Sequence, residues 1–220
     1  DDGPRNQICI ARPGMETWVR SWVPAGEIRG MVVRHGEAYT MTDHLTVWQD
    51  GKAIYRPTSH YAYCPSDAAI MSVHELLMRN YEMQPTQRIL NDEIIQGEDQ
   101  LGVLLMGHDY KAWWTGSILD IHEARTKVPH QSATTLQVAS SVMAAIKWII
   151  AEPMQGVRVP DELPHEFVID AARPYLGTIW SDAVDWDPLR NRRDVFDRFS
   201  DSAATLDPTD PWQFGNFLCP

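Results

Sequence analysis

A histidine closes the apolar run Met31-Val32-Val33-Arg34-His35 and is followed at once by Gly36-Glu37. An imidazole titrates ordinarily at about 6.5, so it can take and return a proton at neutral pH. A strand end beside a flexible glycine is where sheets present such groups to ligands. Spacing alone fits a plain turn histidine equally well. Asp99 lies between Gly97 and the apolar run Val103-Leu104-Leu105-Met106. Its carboxylate would sit at a sheet end, with a simple turn aspartate as the alternative. Glu37 and Asp43 are further carboxylates of the same kind. Trp113 and Trp114 are adjacent, so in a strand they point to opposite faces and at most one lines a cleft.

The elements that must position these residues follow from pattern. Thr17–Val23 and Glu27–His35 read as strands, the second on its density of Met31, Val32 and Val33. Gly36-Glu37 reads as a turn and Tyr39–Trp48 as a further strand. Asp50-Gly51 is the clearest hairpin signal, since both positions tolerate the positive φ of a type I′ turn, and Val47 is expected opposite Ile54. The return strand leads into Tyr55–Pro65, which holds three tyrosines, a histidine and an arginine between Pro57 and Pro65 or beside them. Alternation sets Tyr61 and Tyr63 on one face of this extended stretch and His60, Ala62 and Cys64 on the other.

Ser66 is the expected N-cap of a helix whose stripe is Ile70, Val73, His74 and Leu77, with His74 read as a core histidine. Gln87–Ile95 and Gln100–Met106 read as strands, the second central and buried on both faces. Ala112–Ile118 returns, and Asp120 with Glu123 caps a short helix. Thr134–Glu152 is the strongest helix, with Thr134 and Gln137 as its capping box. Its stripe of Leu136, Ala139, Val142, Met143, Ile146, Ile149 and Ile150 is expected to face a sheet, which makes Ile146→Asp a damaging change. Leu163–Arg173 is a further helix, Pro174–Pro188 is irregular, Arg190–Asp201 is a charged run, and the aromatic tail after Asp207 docks onto the body. Strands first and helices later give an α+β fold: a mixed, largely antiparallel sheet with helices packed on one face.

Composition narrows the function classes. The 220 residues carry Lys+Arg 19 against Asp+Glu 30, a net charge of -11. That disfavours a nucleic-acid binder, which needs a basic face, and suits cationic ligands. Nine tryptophans supply electron-rich faces for ammonium groups as well as core volume. Cys9, Cys64 and Cys219 form no disulfide framework or zinc spacing, which points to a reducing compartment and no metal. The most apolar run, Met143–Ala151, is interrupted by Lys147 and is short for a membrane span. The chain contains no G-x-G-x-x-G, no P-loop and no G-x-S-x-G.

Six segments, in order, resemble the C-terminal half of bacterial homospermidine synthases, relatives of saccharopine dehydrogenases. They are Val19-Arg20-Ser21-Trp22; Tyr55-Arg56-Pro57 with His60-Tyr61-Ala62-Tyr63; Leu101–Leu105 with Gly107-His108; Leu136-Gln137-Val138; Pro174-Tyr175-Leu176-Gly177; and Asp210-Pro211-Trp212-Gln213-Phe214. The resemblance implies that residues 1–220 form the substrate-binding and dimerisation domain of a longer, cytoplasmic, homodimeric enzyme. It implies NAD, bound mainly by an N-terminal Rossmann domain that lies outside this chain. The implied reaction oxidises putrescine, loses ammonia from the imine, adds a second putrescine and reduces the new imine to homospermidine. Under the resemblance the catalytic histidine falls on His35 and a substrate-side aspartate on Asp99. Glu37 and Trp114 complete the expected substrate-binding set. The alternatives are a non-catalytic polyamine-binding module and a purely structural dimerisation domain.

Overall fold

The structure, a computed structural model, describes residue 10, residues 12–192 and residues 206–219. The chain divides into two compact units. The first comprises Asp1–Pro85, Met106–Ala112 and Val184–Pro220, and the second Thr86–Leu105 and Trp113–Ala183. Strands and helices are mixed as an α+β fold requires, with the strands distributed over three small sheets.

In the first unit, β1 (Trp18–Val23) and β2 (Gly26–Val33) form a hairpin, and β5 (Tyr61–Tyr63) pairs antiparallel on the other side of β2. The central strand is therefore the one that leads to His35. Its register against β5 sets Val33 opposite Tyr61 and Met31 opposite Tyr63. The tail docks as expected: Leu218 bridges Val19, the Cys219 N–H donates to Trp18 O at 2.7 Å, and Phe214 and Phe217 are buried.

Residues 36–44 form a helix, α1 (Gly36–His44), where the sequence pattern suggests a turn and a strand. Threonine explains the discrepancy. Its β-branch favours strands, but here the Thr42 hydroxyl donates to Ala38 O at 2.8 Å and the Thr46 hydroxyl to Thr42 O at 2.6 Å, and both residues are buried. The hairpin of β3 (Val47–Gln49) and β4 (Lys52–Tyr55) turns at Asp50 (φ 50°) and Gly51 (φ 75°), as the Asp-Gly pair demands. A bulge between Val47 and Trp48 places Val47 opposite Tyr55 rather than Ile54. Ser66 caps α2 (Asp67–Met78) by accepting from the Ala69 N–H, and His74 is exposed rather than buried in a core.

In the second unit the sheet order is β6 (Glu98–His108), β7 (Lys111–Asp120), β8 (Thr178–Val184). So β7, not β6, is central: Val103 and Leu105 of β6 are 43% and 49% exposed, while Trp114 and Leu119 of β7 are at most 1% exposed. Residues 87–95 contain no strand, and β8 occupies a segment whose alternation of apolar and polar residues is too weak to read. Trp114 lies flat across Gly102 and Gly116, where any Cβ would overlap its indole. Asp120 caps α3 (Ile121–Lys127) by accepting from His122 and Glu123 N–H groups at 2.7 and 2.9 Å. Leu119, Ala124, Ala133 and Leu136 form the core, with Val128 and Tyr175 against it.

The long helix α4 (Ala133–Ala151) is capped by Ser132 rather than Thr134 and buries a different face from the one its large apolar residues mark. Leu136, Gln137, Ser140, Ala144 and Trp148 are buried, whereas Val142, Ile146 and Ile149 are more than half exposed. The contacts with the sheet come from Leu136, which clusters with Leu119, and from Gln137, which donates to the Ser117 hydroxyl at 2.7 Å. By length and composition alone α4 could cross a membrane; a third of that span is buried in the unit. The helix α5 (His165–Ala172) packs against α4. Most of the charged run from Arg190 to Asp201, and Cys9, lie outside the described residues.

Leu119→Ala is expected to lower the unfolding free energy by about 2–5 kcal/mol, through lost burial and a residual cavity. Ile146→Asp is expected to cost under about 1 kcal/mol in this chain. Urea denaturation of the two variants checks the order; the reverse order would restore the apolar stripe to the core.

Candidate functional site

His35 is the N-cap residue of α1, with extended backbone at φ -123° and ψ 135°. Its carbonyl accepts the Ala38 N–H at 3.2 Å, and its side chain makes no capping bond, so the imidazole is free for other contacts. Two are present. The Glu37 carboxylate lies directly against Nδ1. The Tyr61 ring stacks on the imidazole with centroids 4.7 Å apart and planes 13° from parallel. Nδ1 is closed to solvent, although the His35 side chain as a whole is 44% exposed. Glu37 is in the first turn of α1, where a carboxylate also suits the helix dipole.

Tyr61 carries no weight in a spacing argument centred on His35. Its place there depends on the pairing of β5 with β2, which joins residues 28 positions apart by register (Val33↔Tyr61). The visible signal is the aromatic crowding of Tyr55–Pro65, and the structure spends those residues variously. Arg56 lies over the Trp48 ring at 5.6 Å. His60 meets Phe214 and Phe217 edge-on at 5.2 and 5.1 Å. That enclosure disfavours the charged imidazolium, and burial pushes His60 from the ordinary 6.5 down to about 4. His60 is thus a neutral packing residue at physiological pH.

Asp99 and Trp114 belong to the second unit, so His35 and Glu37 are the pair of expected site residues found in contact. Asp99 is the second residue of β6 and half-buried, two residues after Gly97, whose φ of 122° makes the turn and whose carbonyl accepts the Ile121 N–H at 3.0 Å. Trp114 is 1% exposed and tilts against Trp180 at 5.6 Å. An indole so enclosed has no face to offer a ligand, which corrects the expectation that it contacts substrate. Its neighbour Trp113 is the partly exposed one, donating to the Ser181 hydroxyl at 2.9 Å.

A groove of about 200 Å³ opens between β1, β2 and α2, lined by Trp18, Met31, Ile70, Val73 and Leu77 together with Glu16 and His74. His35 and Glu37 are not among its walls. Glu16 there accepts the Tyr81 hydroxyl at 2.6 Å. Among the described residues no three His, Cys, Asp or Glu side chains are gathered as a metal site would need.

A family model described as the saccharopine dehydrogenase C-terminal domain matches residues 2–183. The chain belongs to that family. Two curated relatives named homospermidine synthase, from Mesorhizobium japonicum and Blastochloris viridis, are each 41% identical to it. The first match covers 98% of this chain and 44% of the relative, and the second 99% and 45%. A crystal structure of the homospermidine synthase from Legionella pneumophila in complex with NAD superposes with a TM-score of 0.89 at 40% identity, over 96% of this chain and 45% of that one. The chain therefore spans less than half the length of the homospermidine synthases it matches.

NAD use by such a relative raises the question of what this chain could offer the cofactor. The strand-to-helix junctions at 33–37 and 119–122 contain no G-x-G-x-x-G turn, and the second runs from β7 into α3 with no glycine at all. These residues do not form a pyrophosphate cradle.

The depressed His60 has a pH consequence. In the unfolded chain His60 takes a proton near 6.5, and in the folded chain only near 4. Its stabilising contribution is therefore full above pH 6.5, declines as the pH falls, and is gone below about 4. Melting temperatures of the native chain and His60→Leu, taken from neutral pH down to about 4, should converge on acidification. A constant gap would show that His60 protonates equally in both states.

Proposed function

We propose that this chain is the substrate-binding and dimerisation portion of a homospermidine synthase-like enzyme. That enzyme would catalyse NAD-dependent aminobutyl transfer from putrescine, or spermidine, to putrescine, giving homospermidine and ammonia. NAD would be held mainly by protein outside this chain, and the assembly would be a cytoplasmic homodimer. The observation that carries the reading is the 41% identity running through nearly the whole chain to two homospermidine synthases, beside a His35 imidazole that is partly exposed and lies against a carboxylate.

His35 is the proposed proton-transfer residue. An alkylammonium has no lone pair and cannot attack an imine carbon. Transfer of one proton to the imidazole frees the amine, and return of that proton to a departing nitrogen lets it leave as ammonia. Asp99 is proposed to hold a substrate ammonium by charge and hydrogen bonding, and Glu37 to supply negative charge beside His35. The net charge of -11 favours accumulation of dications and repels polyanions.

The test uses the native reading frame that carries this chain, expressed whole and incubated with putrescine and NAD. Homospermidine is followed by mass spectrometry and ammonia colorimetrically. His35→Ala is expected to abolish turnover by a factor of about 100 or more while the circular dichroism spectrum is unchanged. Full activity in the variant would remove His35 from the mechanism. A folded, NAD-bound protein without product would point to a related dehydrogenase with another amine substrate.

A further inference from the structure

We infer that Glu37 and Tyr61 are positioning residues for His35: Glu37 keeps the proton of the neutral imidazole on Nδ1, Tyr61 holds the ring plane, and Nε2 is the atom that exchanges protons with substrate. The inference rests on the proposed role of His35 and specifies how that role is built.

A neutral imidazole has one N–H and one lone pair, and which nitrogen carries which is set by the partner of each. Here Nδ1 is closed to water and lies against the Glu37 carboxylate, a charge contact without the alignment of a hydrogen bond. A carboxylate accepts and does not donate, so the N–H belongs on Nδ1 and the lone pair on Nε2. The side chain is nonetheless 44% exposed, and with Nδ1 closed and one face under Tyr61 the inference assigns that exposure to the other face and the Nε2 edge. The lone pair thus lies on the edge a substrate nitrogen can reach.

The two contacts restrain different motions. A ring flip would exchange Nδ1 for a carbon and leave the carboxylate facing C–H, so Glu37 opposes the flip. Tilting would break the parallel stack, 13° between planes, so Tyr61 opposes the tilt. The backbone is fixed separately, by the bond from the Ala38 N–H to the His35 carbonyl and by β2 behind it. In the proton step the substrate nitrogen loses a proton and Nε2 gains it. The positive charge then sits on a ring whose other nitrogen faces a carboxylate, and no co-reactant is required. The other assignment for Glu37, direct capture of a substrate ammonium, would make it a binding residue with no bearing on the ring.

The experiment labels the whole enzyme with [15N]histidine, identifies His35 by its loss in His35→Gln, and reads both ring nitrogens at mildly alkaline pH. The expected native spectrum has a protonated-type Nδ1 and a lone-pair-type Nε2. Glu37→Gln keeps this pattern, because the amide oxygen still accepts, whereas Glu37→Ala moves the proton towards Nε2. With putrescine and NAD, Glu37→Ala should lower kcat about tenfold or more with KM little changed, and Glu37→Gln should restore much of it. Tyr61→Ala should lose kcat with KM little changed, and Tyr61→Phe, which keeps the ring face, should recover much of that loss. The same tautomer in native enzyme and Glu37→Ala would overturn the inference, as would a raised KM with intact kcat. An enzyme that makes no homospermidine would sink the functional reading alone, since the nitrogen spectra need no turnover.

Discussion

The first unit depends on one guanidinium taken out of water. Arg20 is 7% exposed, so each of its donors must find an acceptor within the protein. Glu27 accepts from Nε at 3.0 Å and from Nη2 at 2.6 Å, and the Pro188 carbonyl accepts from Nη1 at 2.9 Å. The Trp186 indole N–H donates to the same Glu27 at 3.0 Å. Burial alone would raise the Glu27 carboxyl, but the bonds from Arg20 and Trp186 and the charge of Arg20 hold it below the usual range. This network links β1 and β2 to residues 186–188, which are remote in sequence. It is directional where the hydrophobic effect is not, so it specifies which segment returns to the hairpin. The strand it fixes is β2, whose end carries His35.

Much of the fold is legible because its signals are local. Asp-Gly fixes a hairpin through φ alone, and Ser66 and Asp120 announce helices through bonds spanning two or three residues. The misreadings share a cause as well. Val103–Met106 is as apolar as a central strand, yet strand order is a property of the whole sheet, and nothing within the run says that β8 lies beside β7. β8 itself is hard to see: Thr178–Val184 is mostly exposed, so the demand for an apolar face is weak there. The candidate site divides in the same way. Glu37 is two residues from His35 and can be named beside it. Tyr61 reaches it through a sheet register that no short window contains.

The long helix shows where a correct periodicity can mislead. Val142, Ile146 and Ile149 do form a stripe, but the buried positions are Leu136, Gln137, Ser140, Ala144 and Trp148, with Gln137 bonded to Ser117 of β7. Apolar periodicity marks the face on which bulk is concentrated, whereas burial follows the fit of individual side chains against the neighbouring elements, α5 above all. The result is a helix anchored by Leu136, Trp148 and its small residues, with Val142, Ile146 and Ile149 of the stripe more than half exposed.

The same separation of roles distinguishes the two histidines of the Tyr55–Pro65 neighbourhood. His60 and His35 both contact aromatic rings, but the geometry differs. His60 meets two phenylalanines edge-on and has no carboxylate partner described, so burial suppresses its charge and leaves a neutral, packed ring. His35 has one ring flat against it, a carboxylate at Nδ1 and a side chain still 44% exposed. An enclosed imidazole is denied a proton by its surroundings. A half-open one beside a carboxylate can acquire a proton and have the resulting charge compensated within the same contact. The chemistry that a histidine can perform here is therefore set less by its distance along the chain from other polar residues than by what β2, α1 and β5 place around each nitrogen.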